Sequence, residues 1–387
     1  MLAPPTSPLF PPGLRVALFS GNYNYVRDGA NQSLNRLVAF LERHGVPVRV
    51  YSPTIDPPAF PPAGTLISVP SVPVPRRPEY RIALGLPAKI RRDVEAFAPT
   101  LIHLSAPDLL GWGALALAER LRIPAVASFH TRFETYLRYY GLGWLEPFVI
   151  ARLRRFYGRC QAVLAPSESM AAEIHAQRLS ENVRIWSRGV DRALYNPDRR
   201  DLGWRRGLGI DDAEPVVAFV GRLVLEKGLE AFAGTLDALR AQGVPHRALV
   251  VGDGPERAWM QQRLPSAVFA GFQTGEALAR AYASSDIFLN PSVTETFGNV
   301  TLEAMASGVP AVCADATGAR SLVRHGTTGF LVPPREPDGF VAPVRQLLTE
   351  PALRADMAAA SVAASADFTW DAIMLGVVDA YRDALAA

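Results

Sequence analysis

Short apolar runs, each followed by an amphipathic stretch, recur along the whole chain, and this alternation constrains the fold more than any other feature. Runs such as Val216–Val220 are apolar at every position, so both of their faces must be covered. The stretches between them have helical rather than strand periodicity. A chain of this kind builds parallel sheets flanked by helices.

Strands are expected at Arg15–Phe19, Val48–Tyr51, Leu101–Leu104, Ala125–Phe129, Ala162–Ala165 and Val183–Trp186, with helices over Ala30–His44, Ala88–Phe97, Gly111–Leu121, Leu145–Tyr157 and Ser167–Ala176. A polar, turn-rich stretch, Asn196–Glu214, follows, and the pattern then restarts. Strands are expected again at Val216–Val220, Ala248–Val251, Val268–Ala270, Ile287–Asn290 and Ala311–Ala314. Helices fall near Gly228–Ala241, Arg257–Arg263, Gly275–Ala283, Val300–Ser307, Pro337–Leu348, Pro351–Ser365 and Asp371–Leu385. The fold class is therefore α/β, with doubly wound domains at 1–188 and 189–370. Ligands bind such sheets beyond the carboxyl ends of the strands, and two such domains make the cleft between them the expected site. Pro57–Pro78 reads as a proline-rich surface loop inside the first domain, a passive connection of polyproline character.

Composition removes several classes. A chain of 387 residues, 49% hydrophobic and 20% charged, holds sizeable cores and is not disordered. Its two cysteines, Cys160 and Cys313, make no disulfide framework and no Cys/His cluster, so neither a structural metal nor an oxidising compartment is expected. The first residues lack the basic start and apolar run of a secretory signal, and prolines break the uncharged Pro57–Pro75, so a cytoplasmic protein without a spanning helix is expected. Net charge is only +3, which gives no reason to expect nucleic acid. The halves differ, however: residues 1–188 carry +9 and residues 189–387 carry −6. The first half either favours an anionic surface or is simply uneven. Of 40 basic residues only Lys89 and Lys227 are lysines, so a lysine kept here is a candidate for a place that needs a compact ammonium.

Four loops carry chemistry. In Pro291-Ser-Val-Thr-Glu295-Thr-Phe297-Gly298-Asn299-Val300-Thr-Leu-Glu303, a strand ends just before the loop and a helix starts near Asn299. The backbone N–H groups of Phe297, Gly298, Asn299 and Val300 stand at a helix N-terminus, which suits a phosphate. Glu303, one turn in, can accept two hydroxyls of a ribose diol. Read singly, the two glutamates are ordinary solvated residues of a capped helix and the loop before it. In Gly221-Arg222-Leu-Val-Leu-Glu-Lys227-Gly228, a strand runs into a basic loop; Arg222 can fork two phosphate oxygens and Lys227 adds a point charge. His130, in Ser128-Phe-His-Thr-Arg, is delivered to the carboxyl end of its strand. The loop Gly21–Asn31 opens the first helix at Gly29, where Asp28 serves equally as a plain N-cap.

Taken together these strings resemble the retaining nucleotide-sugar glycosyltransferases of the GT-B fold, in particular the large family 4. The E-x7-E pair Glu295 and Glu303 is similar to that family's signature, Gly221-Arg222 to Lys227-Gly228 to its G-R-x(n)-K-G segment, Phe129-His130-Thr131 to its F-H-T segment, and Trp186-Ser-Arg188-Gly-Val-Asp191 to its interdomain segment. The resemblance implies two Rossmann-like domains facing a central cleft, with the helix over 371–387 returning to the first. It implies that Glu295 contacts the donor sugar, Glu303 the ribose, Arg222 and Lys227 the diphosphate, and that His130 lies beside the sugar. Arg188 faces the cleft or belongs to a hinge turn, and Gly29 alone matches the family's glycine pair, because Ala30 follows it.

A GDP- or UDP-hexose donor, retention of anomeric configuration and no cofactor are what the resemblance implies. The chain has no Asp-x-Asp triplet, so protein charge rather than a metal is expected to meet the leaving diphosphate. Front-face displacement, with that phosphate deprotonating the acceptor, is the expected route. Pro78–Ala83 and the His130 segment look like the branch that glycosylates lipids, including GDP-mannose-dependent α-mannosyltransferases. Arg132–Arg159 fits that branch: Phe133, Tyr136, Tyr139, Tyr140, Trp144 and Phe148 alternate with arginines, as on a helix lying on an anionic membrane, or else they fill the core. The expected acceptor is a lipid or glycan, with a soluble polysaccharide as the alternative. An NAD-type oxidoreductase is disfavoured, because Gly111-Trp-Gly-Ala-Leu-Ala does not follow its strand directly. Against a non-catalytic nucleotide-sugar binder stand Glu295, Glu303, Arg222 and Lys227, all intact.

Overall fold

The computed structural model describes residues 9–26, 29–74, 77–130, 143–334 and 336–387. Asp28 and the stretch 131–142, with four of the aromatics singled out above, lie outside them. The chain divides into two compact units, one running to Ser187 and taking back Asp371–Ala387, the other Arg188–Trp370.

The first unit holds a seven-stranded parallel sheet in the order β3-β2-β1-β6-β7-β8-β9. The strands are β1 Val16–Phe19, β2 Val48–Ser52, β3 Thr65–Ser68, β6 Leu101–Leu104, β7 Ala125–Ser128, β8 Ala162–Ala165 and β9 Val183–Ile185. A separate antiparallel ribbon pairs β4 Ser71–Val74 with β5 Arg77–Ala83. The second unit holds a six-stranded parallel sheet in the order β12-β11-β10-β13-β14-β15. These are β10 Val216–Val220, β11 Arg247–Val251, β12 Val268–Gly271, β13 Ile287–Asn290, β14 Ala311–Ala314 and β15 Gly329–Val332. Both orders reverse direction at one point, between β1 and β6 and between β10 and β13.

Alternation across β10 shows why its unbroken apolar run was needed. Val216, Ala218 and Val220 join the core that holds Leu302 and Met305 of the helix Asn299–Ala306. Val217 and Phe219 join the opposite core, with Leu229, Phe232 and Leu236 of the helix Leu229–Ala241. Burying a Val- or Phe-sized side chain contributes about 1.5–3 kcal/mol, so this one strand ties both layers together.

Three segments differ from the sequence expectation. Pro57–Pro78 is not a passive loop: it supplies β3, β4 and the start of β5. Its β-branched residues form strands, and Pro73 is tolerated because both strands of a two-stranded ribbon are edges. The turn-rich Asn196–Glu214 contains the helix Leu202–Gly207, capped by Asp201, which accepts from Trp204 N at 2.8 Å. Its inward residue is Arg205, 1% exposed, which donates to Ser284 O and Asp286, so the helix has no apolar stripe to betray it. Finally, β15 begins at Gly329, where a Cβ would come within 2.1 Å of Ala311 O, and its edge position hid it. Among the described residues no single helix is long and apolar enough to cross a membrane.

Candidate active site

In the second unit the loops after β10 and β13 leave neighbouring strands at the point where the sheet order reverses, the usual ligand crevice of such sheets. Backbone contacts draw them together. Gly228, at φ +72°, caps Leu229–Ala241, and a Cβ there would come within 2.9 Å of Pro291 O and Cβ. Only glycine tolerates both the left-handed conformation and that approach. The β10 loop is also pinned from its other side. Gly252 lies where a Cβ would reach Gly221 O at 1.9 Å, Gly254 where it would reach Leu223 O at 2.4 Å, and Leu223 N donates to Asp253 O at 2.9 Å. The Gly-x-Gly after β11 is therefore explained by packing.

This backbone arrangement brings Lys227 against Glu295. The ammonium donates to Glu295 Oε1, and both side chains are about four-fifths buried. An ammonium has three donors, so this pairing leaves two for oxygens of a ligand. Arg222, on the same loop, is exposed, and its guanidinium has no hydrogen-bond partner among the described residues. Glu295 is itself clamped: Gly318 N donates to Glu295 O at 2.9 Å, and a Cβ on Gly318 would meet Glu295 Cβ at 2.8 Å. Nothing in the string Ala316-Thr-Gly318-Ala distinguished that glycine from any other loop glycine.

The helix Asn299–Ala306 starts at Gly298, φ +94°, with no side-chain cap and no acidic residue in its first turn. Its leading N–H groups thus keep their anion-binding character. Phe297 turns its ring inward against Phe368, at 6.0 Å between centroids, so only its backbone faces this end of the helix. Asn299 Oδ1 is buried and has no hydrogen-bond partner among the described residues, an acceptor suited to a hydroxyl. Val300 is half-buried and packs on the core.

Glu303 lies one turn along. Tyr282 OH donates to its Oε2 at 3.1 Å. Burial pushes the Glu303 carboxyl up to about 7, against the opposing pull of hydrogen bonds from Tyr282 and Tyr195. Burial and the Glu303 charge together raise the Tyr282 hydroxyl well above its ordinary value, so it stays a donor. Neither tyrosine stood out in the sequence. Tyr282 is the one aromatic of its helix, Gly275–Ala283, and reads there as core.

The remaining expected residues are placed elsewhere. Arg188, the first residue of the second unit, is buried at 4% exposure. Gly29 opens the helix Gly29–Arg43 in the first unit. His130 follows β7, half-buried, with its ring edge-on to Trp186 at 5.4 Å. Trp186 N continues the sheet by donating to Ala165 O at 2.7 Å. In the segment expected at a membrane, Trp144 and Phe148 are 75% and 71% exposed, while Leu153, Phe156 and Tyr157 fill the core. The arginines of the helix Glu146–Tyr157 divide too: Arg152 lies over the Trp112 ring at 4.7 Å and Arg154 donates to Gln177 O at 2.6 Å.

Comparison with known proteins matches both halves. Residues 27–194 fit the model described as Glycosyltransferase Family 4, and residues 214–350 that of Glycosyl transferases group 1. The chain is 37% identical over 332 residues to a GDP-mannose-dependent alpha-mannosyltransferase of Mycolicibacterium smegmatis, covering 84% of this chain and 86% of that one. It is 32% identical over 368 residues to a sulfoquinovosyl transferase of Arabidopsis thaliana, covering 92% and 71%. The fold is similar to that of HepE of Anabaena, solved in complex with UDP, with a TM-score of 0.74 at 21% identity over 95% of this chain and 99% of that one.

Proposed function

This chain belongs to the family 4 (group 1) glycosyltransferases, and from that premise we propose that it is a retaining α-mannosyltransferase that carries mannose from GDP-mannose to a lipid or lipid-linked acceptor without a divalent metal. The observation that carries this reading is the Lys227–Glu295 pair beside the uncapped helix N-terminus at Gly298, with Glu303 one turn further on. That order of charges matches the order of parts in a nucleotide sugar. Cationic donors and helix N–H groups suit the diphosphate, a carboxylate with tyrosine partners suits the ribose diol, and a second carboxylate suits the sugar hydroxyls.

In the reaction, an acceptor hydroxyl attacks C1 of the sugar on the face the phosphate leaves. The C1–O bond to the β-phosphate breaks, the new C1–O bond forms, and the acceptor proton passes to the departing phosphate oxygen. Arg222, Lys227 and the N–H groups at Asn299 and Val300 hold the charge that develops on GDP. Glu295 positions the sugar and does not attack it, and His130 is the group that the family resemblance puts beside the sugar. GDP-mannose is favoured as donor by the names of three relatives that are 30–37% identical over 83–96% of the chain. A UDP-linked, glucose-type donor is the second reading, and the sulfoquinovosyl transferase among the relatives shows that mannose is not the one sugar named at this level of identity.

Peripheral attachment to an anionic membrane fits the exposed Trp144 and Phe148 beside the exposed Arg155, in the half of the sequence that carries +9. The test uses purified protein, thermal shifts with GDP, UDP and ADP, and transfer of labelled mannose from GDP-mannose to a membrane lipid extract. A shift with GDP and α-linked label in the organic phase are expected, in EDTA as in Mg²⁺. Stabilisation by UDP alone, or turnover lost in EDTA and restored by Mg²⁺, overturns the corresponding part.

A further inference from the structure

His103, on β6, is completely buried and makes two hydrogen bonds. Its Nδ1 meets the hydroxyl of Tyr381 at 2.5 Å and its Nε2 meets Ser128 Oγ at 2.5 Å. Tyr381 comes from the helix Trp370–Ala386, and Ser128 ends β7, two residues before His130. Burial lowers the imidazole to about 3, so the ring is neutral under ordinary conditions. A neutral imidazole has one donor and one acceptor nitrogen, so one hydroxyl must donate to it and the other accept from it. The ring is thereby fixed in orientation and tautomer from both sides.

A third contact leads the same way. Trp186, 1% exposed, lies edge-on to His103 at 5.7 Å and 77° and edge-on to His130 at 5.4 Å and 65°. His103 therefore reaches His130 by two routes, along β7 through Ser128 and through the indole of Trp186. Apolar side chains of similar shape would fill this space at little or no cost in stability. A fully bonded polar triad adds directional constraint that apolar packing lacks.

We propose that His103 is a positioning residue which, held by Tyr381 and Ser128, fixes the placement of the His130 imidazole. The inference rests on the reading of His130 as the group beside the donor sugar, and the test separates the two. His103→Phe alone leaves two hydroxyls without partners, so the informative variant combines His103→Phe, Ser128→Ala and Tyr381→Phe, which removes the whole polar triad. It is measured in the wild-type and His130→Ala backgrounds, as a double-mutant cycle, with kcat and donor KM for GDP-mannose and a thermal midpoint. The triple variant is expected to keep its thermal midpoint within a few degrees and its donor KM within twofold, and to lose at least tenfold in kcat. In the His130→Ala background the same three substitutions are expected to change kcat by less than twofold. Should the triple variant fail to fold, Tyr381→Phe alone is read in the same cycle, with a loss of several-fold expected only where His130 is present. Wild-type kcat in the folded variant, or an equal loss in both backgrounds, overturns the proposal. A His130→Ala protein as active as wild type ends both the reading of His130 and the inference, whereas a wild type that releases no GDP from GDP-mannose overturns the functional reading itself.

Discussion

The two sheets follow the same order up to their reversal points and diverge in the loops that cross them. In the first unit these loops are sealed by close packing on the Asp108 side chain and by tyrosine hydroxyls bonded to backbone. Gly21 sits where a Cβ would come within 2.0 Å of Asp108 Oδ2, Tyr23 OH donates to Ala63 O at 2.9 Å, and Tyr25 OH donates to Gly21 O at 2.7 Å. In the second unit the backbones approach as closely, Gly228 on Pro291, but the side chains left over are Arg222, Lys227 and Glu295. Topology supplies a crevice in both. On the proposed function, what suits one of them to a diphosphate is the charge remaining once the loop backbone has been satisfied.

The comparison breaks most readily at Glu295. Glu295→Gln is expected to lower kcat for GDP-mannose at least about 100-fold, roughly 3 kcal/mol of transition-state stabilisation. Asp108→Asn, at the matching place in the first unit, is expected to lower thermal stability and leave kcat within a few-fold. Equal losses in steady-state kinetics would remove the asymmetry.

Acid acts with opposite sign on one buried group in each unit, Glu303 and His103. The native Glu303 carboxyl sits near 7, above its ordinary 4.5, so the folded state holds a proton that the unfolded state has lost. That group penalises folding as pH rises from about 4.5 to 7, and the full penalty, on the order of 3 kcal/mol, stands above that window. His103, lowered to about 3, does the reverse: its contribution is complete above 6.5 and is lost as pH falls towards 3. Glu303→Gln should therefore stabilise the ligand-free protein at pH 8 by up to about 3 kcal/mol, with the gain fading towards pH 4. The same substitution should weaken GDP at least about tenfold, because charge-assisted hydrogen bonds to the ribose are lost. Denaturant melts across pH and titration calorimetry check both.

A smaller effect is expected at Gly228. Gly228→Ala forces a side chain into left-handed backbone against Pro291, at a cost of about 1–3 kcal/mol, and should loosen GDP severalfold by displacing Lys227. Gly21→Ala meets the Asp108 side chain rather than backbone, and should cost stability without touching GDP affinity.

The smallest effect concerns the membrane. Each arginine near anionic lipid contributes about 1 kcal/mol. Because Arg152 and Arg154 are engaged with Trp112 and Gln177, neutralising both with Arg155 should weaken liposome binding by closer to about 1 than 3 kcal/mol. Co-sedimentation with anionic vesicles measures it, and unchanged binding returns the helix to an ordinary surface role.

Much of this was legible in the sequence, for identifiable reasons. Strands buried on both faces, such as β10, β13 and β14, write themselves as unbroken apolar runs and were bounded to the residue. Edge elements were not, since β3 and β15 need cover on one side only and sit among prolines and glycines. At the site, Lys227 and Glu295 stood out as scarce or patterned residues, but their pairing depends on Gly228 meeting Pro291 across 63 positions of chain. The tyrosines on Glu303 and the triad around His103 were invisible, because a buried tyrosine or histidine reads as core until its partners are known.

The central claim, that the second unit's reversal-point loops hold the nucleotide diphosphate, is tested most directly by titration calorimetry of GDP into wild type and Lys227→Met at fixed pH and salt. Removing the ammonium leaves Glu295 to face the diphosphate with one compensating charge fewer. The expected result is a dissociation constant raised at least about 30-fold, roughly 2 kcal/mol, in a protein that still unfolds cooperatively. Equal affinity in the two proteins contradicts the assignment and moves the diphosphate elsewhere.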